Sequence, residues 1–177
     1  MFDDRIYYGY SWDRTPFLSE DSGCWNSRYQ DGIEGSFWSL HYPCPYENRL
    51  TCIWDIRAPE GEYVAIAFND IFSIEPSKNQ SETDCPYDAI EFFTEIKQVS
   101  NTTTVVKNET DQSNQQNEMK FEKVATFCGL HRPKNMILQS NNIRVSFKTD
   151  NRYTGHGFRL MWASMRPTRM KYLMENF

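Results

Sequence analysis

From residue 52 onward the apolar side chains recur at every second position. Cys52, Trp54 and Ile56 share one face of an extended segment, as do Val64, Ile66 and Phe68, then Ile90 and Phe92. Ile143, Val145 and Phe147 repeat the pattern, and so do Phe158, Leu160 and Trp162. A strand points alternate side chains to opposite faces, so this period dictates strands with one face buried and one face wet. Turn signals separate the runs: Ala58-Pro59-Glu60-Gly61, Glu75-Pro76-Ser77, the stretch from Cys128 to Pro133, and Asn141-Asn142. No capped amphipathic helix lies between them. The pattern therefore predicts an all-β, antiparallel sandwich rather than an α/β sheet.

The chain has 177 residues, 39% hydrophobic and 15% aromatic, enough to bury a core in one domain, which argues against disorder along its whole length. Its net charge is −5 and no lysine or arginine run offers the positive surface that a phosphate backbone needs, so nucleic acid is not an expected partner. The longest unbroken apolar stretch, Tyr63 to Phe68, falls far short of the roughly 20 residues that cross a bilayer, so no membrane span is expected in this chain. Residues 1–23 are rich in Tyr, Trp, Phe and Asp without a clean period and read as an N-terminal arm or the end of a preceding module. The domain itself is expected over residues 24–164. Within it, 100–120 is an Asn/Gln/Thr/Glu-rich insertion, read as an extended polar hairpin loop. Residues 165–177 are basic and Met-rich, and Pro167 interrupts any long helix, so they read as a C-terminal tail or linker. The opening Met-Phe-Asp-Asp-Arg carries acids where a secretory signal carries a basic segment and an apolar one, so no signal peptide is expected in this chain.

Five cysteines are present, Cys24, Cys44, Cys52, Cys85 and Cys128, none in a C-x-x-C arrangement, and His41, His131 and His156 are scattered. The spacing of a structural zinc site is missing. Disulfides fit better, although the odd count leaves one thiol over and the sequence alone permits several pairings. Three sequons, at Asn79, Asn101 and Asn108, fall in polar, loop-like sequence and make these asparagines candidate glycosylation sites, which leans toward the secretory pathway. No catalytic residue is expected: the Gly-x-Ser-x-Gly elbow, His-Glu-x-x-His and a glycine-rich phosphate loop are all absent.

Taken in order, the strands expose a series of landmarks. Gly35-Ser36-Phe37-Trp38-Ser39 is followed by His41-Tyr42-Pro43, Tyr46 and Cys52-Ile53-Trp54-Asp55-Ile56. Then come Phe68-Asn69-Asp70-Ile71-Phe72-Ser73-Ile74-Glu75, Cys85-Pro86-Tyr87-Asp88, Phe127-Cys128-Gly129, and Phe147-Lys148-Thr149-Asp150 ahead of Gly157-Phe158. Over about Cys24 to Ser164 this closely resembles a CUB domain, the extracellular β-sandwich module of complement and tolloid-type proteases, spermadhesins and receptor-associated proteins. The resemblance implies a jelly-roll sandwich with two disulfides, Cys24 to Cys52 and Cys85 to Cys128, leaving Cys44 single. It also implies that the module works outside the cell.

Many CUB domains bind one calcium ion at one end of the sandwich, and the matching residues here are Glu75, Asp88 and Asp150. Tyr46 falls where the family's tyrosine hydroxyl hydrogen-bonds the acidic cluster. Carboxylates from separate loops suit a hard cation that takes six to eight oxygens, and no lysine or arginine adjoins Glu75 or Asp88 in the sequence. The resemblance further implies a protein-interaction module in which the calcium-tied end, through Glu75 and Asp150, receives a partner's lysine. This chain departs from the pattern at Arg152 and Tyr153, where calcium-binding relatives carry small polar residues. A backbone carbonyl at 152 remains available as a ligand, and the Arg152 guanidinium is long enough to reach back toward Glu75 or Asp150. Two other readings are a non-catalytic CUB portion of a larger secreted protease and an ion-free structural spacer.

Overall fold

Every residue that the alternation assigns to an inner face is buried, none of them more than 3% exposed. The computed structural model describes residue 24 and residues 29–79, 81–96 and 119–168. The expected N-terminal arm, nearly all of the 100–120 loop, the end of the C-terminal tail, Asn101 and Asn108 lie outside the described residues. Nine strands form among the described ones: β1 (Tyr29–Asp31), β2 (Glu34–Trp38), β3 (Thr51–Arg57), β4 (Tyr63–Ser73), β5 (Ala89–Glu95), β6 (Phe121–Phe127), β7 (Met136–Leu138), β8 (Asn142–Lys148) and β9 (Gly157–Met165). A five-stranded sheet in the order β1-β3-β8-β5-β6 faces a four-stranded sheet in the order β2-β9-β4-β7. This is the all-β sandwich that the alternation predicts.

Aromatic rings join the two layers. Phe37 of the four-stranded sheet stacks on Trp54 of the five-stranded one, with centroids 4.6 Å apart and planes 16° from parallel. Phe158 meets the edges of Trp54 and Phe147 at 6.0 and 5.2 Å, and Phe68 meets Phe92 edge-on at 6.1 Å. Each such pair contributes about 0.5–1.5 kcal/mol beyond the area it buries. Two disulfides cross-link the chain: Cys24 to Cys52 in β3, and Cys85 in the loop before β5 to Cys128 after β6. They close loops of 28 and 43 residues, each contributing about 3–4 kcal/mol in the chain-entropy model. Cys44 is exposed and free.

Alternation alone does not specify three local features. β1 pairs with β3 in parallel, Tyr29 opposite Asp55, because the Cys24–Cys52 bond starts both segments from one point and they run on from it in the same direction. In β4 the register shifts between Phe68 and Phe72, which pair with Leu160 and Phe158 respectively. Residues 69–71 thus oppose Arg159 alone, and Asp70 turns outward to meet Arg132 at 3.1 Å. The bulge preserves parity, so Phe72 and Ile74 return to the core. In β6, Val124 is the extra residue between the Ala125 and Lys123 pairings and is exposed. β5 and β6 pair antiparallel out to Glu95 and Phe121.

The start of β9 requires glycine. Gly157 has φ +75°, and a Cβ there would lie 1.8 Å from Oγ of the buried Ser39. That hydroxyl accepts a hydrogen bond from the Phe158 amide at 3.1 Å, so it cannot give way without loss. Gly157→Ala is expected to destabilise the domain by about 2–4 kcal/mol through clash and left-handed strain. Urea unfolding checks this, and a near-neutral result would contradict it.

Candidate metal centre

Tyr46 lies in the connection between β2 and β3, its ring edge-on to Phe147 at 5.1 Å and its amide donating to the Gly155 carbonyl at 3.1 Å. A Cβ on Gly155 would sit 2.3 Å from the Ser73 carbonyl oxygen, so this segment packs directly on the end of β4. With ring and backbone held, the Tyr46 hydroxyl donates to Asp88 Oδ2 at 2.6 Å and accepts from the Glu75 amide at 3.0 Å. Asp88 Oδ1 accepts from the Asp150 amide at 2.7 Å. The tyrosine and the aspartate together fix the backbones that carry the other two acids. Glu75 is further held because Ile74 and Gly129 exchange backbone hydrogen bonds at 2.9 and 3.0 Å.

The structure thus brings together Glu75 after β4, Asp88 before β5 and Asp150 after β8, with one oxygen of each within 4.8 Å of the others. β4 belongs to one sheet and β5 and β8 to the other, so the cluster sits where the two layers meet at one end. Among the described residues, no lysine, arginine or histidine forms an ion pair with any of the three. Asp88 is fully buried, whereas Glu75 and Asp150 are partly exposed. Glu75 Oε2 is buried without a hydrogen-bond partner.

Electrostatics follow from that geometry. Burial pushes the Asp88 carboxyl above the ordinary carboxylate range, opposed by the hydrogen bonds from Tyr46 and Asp150. Glu75 is pushed up by burial and then by the charges of Asp88 and Asp150, with Arg152 pulling weakly the other way. Burial, then the hydrogen bond to Asp88, raises the Tyr46 hydroxyl, which stays a neutral donor. A cluster of hard oxygens with excess negative charge and an orphaned buried oxygen fits a divalent cation of the calcium type.

Residues that the sequence reading did not single out brace the site. Thr149 Oγ1 donates to the Glu47 carbonyl at 2.9 Å and accepts from the Leu50 amide at 2.8 Å, locking the approach to Asp150. Asn48 Nδ2 donates to the Arg152 carbonyl at 3.3 Å. Thr149 stands inside the Phe147–Asp150 landmark and Asn48 has no local signal, and the bracing role of each is invisible because it acts on backbone about a hundred residues away. Arg152 is exposed, and its amide caps Asp150 Oδ1 at 2.8 Å. Its guanidinium ion-pairs with neither Glu75 nor Asp150. Asn79 is exposed, in the turn that Ser77 closes through its hydroxyl on the Ser81 amide at 2.9 Å.

Tyr46→Phe removes the donor to Asp88 and the acceptor of the Glu75 amide at once. A loss of about 2–4 kcal/mol is expected in metal-free buffer, since both partners are left unsatisfied. Denaturant unfolding in chelator measures it, and an unchanged midpoint would show that the hydroxyl is dispensable.

The CUB domain family profile matches this chain over residues 26–122 and 99–162. The cubilin homolog of Caenorhabditis elegans is 31% identical over 149 residues, 84% of this chain and 3% of its own length. Mannan-binding lectin serine protease 1 of Rattus norvegicus is 31% identical over 131 residues, 73% of this chain and 14% of its own length. Among solved structures, the MASP-1 CUB2 domain bound to Ca2+ superposes with a TM-score of 0.56 at 26% identity, covering 79% of this chain and 99% of that domain. The chain spans only a small part of its curated relatives, 3% of the cubilin homolog and 22% of human membrane frizzled-related protein.

Proposed function

The chain belongs to the CUB family, and from that premise we propose that it is an extracellular protein-interaction module whose acidic end is tied by calcium. The observation that carries this reading is the buried, unpartnered Oε2 of Glu75 inside a three-carboxylate cluster that no lysine, arginine or histidine among the described residues ion-pairs. Glu75, Asp88 and Asp150 would hold the ion, with backbone carbonyls and water completing its oxygen shell. When bound, the ion supplies the positive charge that these carboxylates lack. The chain's own residues do the rest. Asp88, buried and hydrogen-bonded at both oxygens, anchors the cluster and is out of a partner's reach. Glu75 and Asp150, partly exposed, present carboxylate oxygens on which a partner's lysine ammonium makes charge-assisted hydrogen bonds. No residue set for catalysis enters this reading. Relatives named as proteases are matched over a small fraction of their length, in keeping with a binding module inside a larger protein.

An ion that binds only the folded state stabilises it by about 2.7 kcal/mol at a hundredfold excess over its dissociation constant. Millimolar calcium is therefore expected to raise the melting temperature over chelator by several degrees, and Asp88→Ala to abolish the shift. Protons oppose the ion. Because the folded-state values of Glu75 and Asp88 are raised, their contribution to metal-free stability grows as the pH falls through those values. The calcium-dependent increment fades over the same window. Identical melting in calcium and chelator at neutral pH would reject the ion and leave the spacer reading.

Arg152 places a permanent positive charge near Glu75, where it competes electrostatically with an incoming lysine. Arg152→Ser is expected to tighten calcium-dependent binding of a lysine-bearing partner several-fold, with the gain shrinking at high salt. Equal or weaker affinity in a titration would show that Arg152 does not obstruct the site.

A further inference from the structure

The two outer faces of the sandwich differ. That of the five-stranded sheet is covered by ion pairs, including Arg144 to Asp55 at 2.7 Å and Lys123 to Glu91 at 3.0 Å. That of the four-stranded sheet has a floor of Ala65, Ala67 and Ala163, over which stand Trp38, Met161 and Ile137, exposed by 43, 41 and 37%. An apolar sheet face of this kind, rimmed by charge, marks a protein contact.

Two charges at its rim lack counterparts. Arg159 lies across from Trp38, its guanidinium carbon 5.7 Å from the indole, and its Nε is buried without a partner. Glu34, at the far end of the same strand pair opposite Ala163, is exposed and in no ion pair among the described residues. Between them Ser36 pairs with Met161. These positions are self-complementary. A two-fold axis lying in the interface and crossing the strands at Ser36 and Met161 exchanges the two ends of the face. Arg159 of one copy then falls over Ala163 of the other, whose small side chain leaves room for the guanidinium, and beside Glu34 of that copy. The reciprocal pair forms at the opposite end, and Met161 meets Met161 on the axis, where a thioether packs adaptably.

We infer that this chain associates with a second copy of itself through the outer face of β2, β9 and β4, with reciprocal Arg159 to Glu34 ion pairs. The inference does not rest on calcium, because Glu75, Asp88 and Asp150 lie outside β2, β4 and β9.

The test is sedimentation velocity on the Cys44→Ser chain, which removes any disulfide-linked dimer, from about 1 to 200 µM, the range where a small interface assembles. A monomer–dimer equilibrium is expected. Met161→Asp, which sets two carboxylates on the axis, is expected to abolish it. Glu34→Arg and Arg159→Glu are each expected to weaken it at least ~10-fold by opposing like charges, and the double exchange to restore it. Far-ultraviolet circular dichroism and melting confirm that each variant is folded. A monomer throughout the range overturns the inference, whether another segment or another protein covers the face. So does a dimer indifferent to Met161→Asp, or one that the double exchange fails to rescue.

Discussion

Asp88 is an acid with no access to water, set where the ends of the two sheets converge. Removing a carboxylate from water costs several kcal/mol unless hydrogen bonds and opposite charge offset it. The hydrogen bonds are there, from Tyr46 and the Asp150 amide at 2.6 and 2.7 Å. The opposite charge is not supplied by any described side chain. Much of the local architecture is built to serve this one group. The β2–β3 connection delivers Tyr46, Gly155 lets the chain ahead of β9 pack on Ser73 at the end of β4, Gly157 lets β9 start against Ser39, and the bulge in β4 carries the chain onward in the parity that presents Glu75. Coupling a buried anion to the backbones of two other acids makes their spacing a property of the fold rather than of flexible loops.

How much of this was legible in the sequence follows from the range of each signal. The inner faces were legible because burial imposes period two along each strand, from Cys52-x-Trp54-x-Ile56 to Phe158-x-Leu160-x-Trp162. Asp70 shows the limit: by parity it belongs with Phe68 and Phe72, yet it is outside, because three residues there oppose one across the ladder. Strand direction at β1 depends on a covalent bond rather than on hydrophobic pattern, so alternation carries no trace of it.

The site was legible only through landmarks. Glu75, Asp88 and Asp150 are three acids among 24 in the chain, and no periodicity distinguishes them. Their motif positions did. The bracing roles of Thr149 and Asn48 escaped, since a contact with the backbone of a distant loop leaves no mark in the local sequence. Arg152 was legible as a departure from the family pattern, but whether its guanidinium would fold back could be answered only by the geometry. It stays in solvent and acts on Glu75 through its charge alone.

The acidic end and the apolar face have a fixed spatial relation. β9 begins beside the cluster at Gly157 and runs away from it to Met165, so Arg159 is nearer the acidic end and Glu34 farther from it. An axis crossing the strands therefore directs the acidic ends of two associated copies away from each other. On the proposed reading, a single lysine-bearing loop would engage one of them and gain nothing from association. A partner with two such loops gains only where they are spaced along the long dimension of the pair, since effective concentration falls to nearly zero when the span is wrong. Self-association would then select for extended or repetitive ligands without changing a contact at the proposed metal site, which would separate the chemistry proposed to recognise a lysine from the geometry that decides which lysines count.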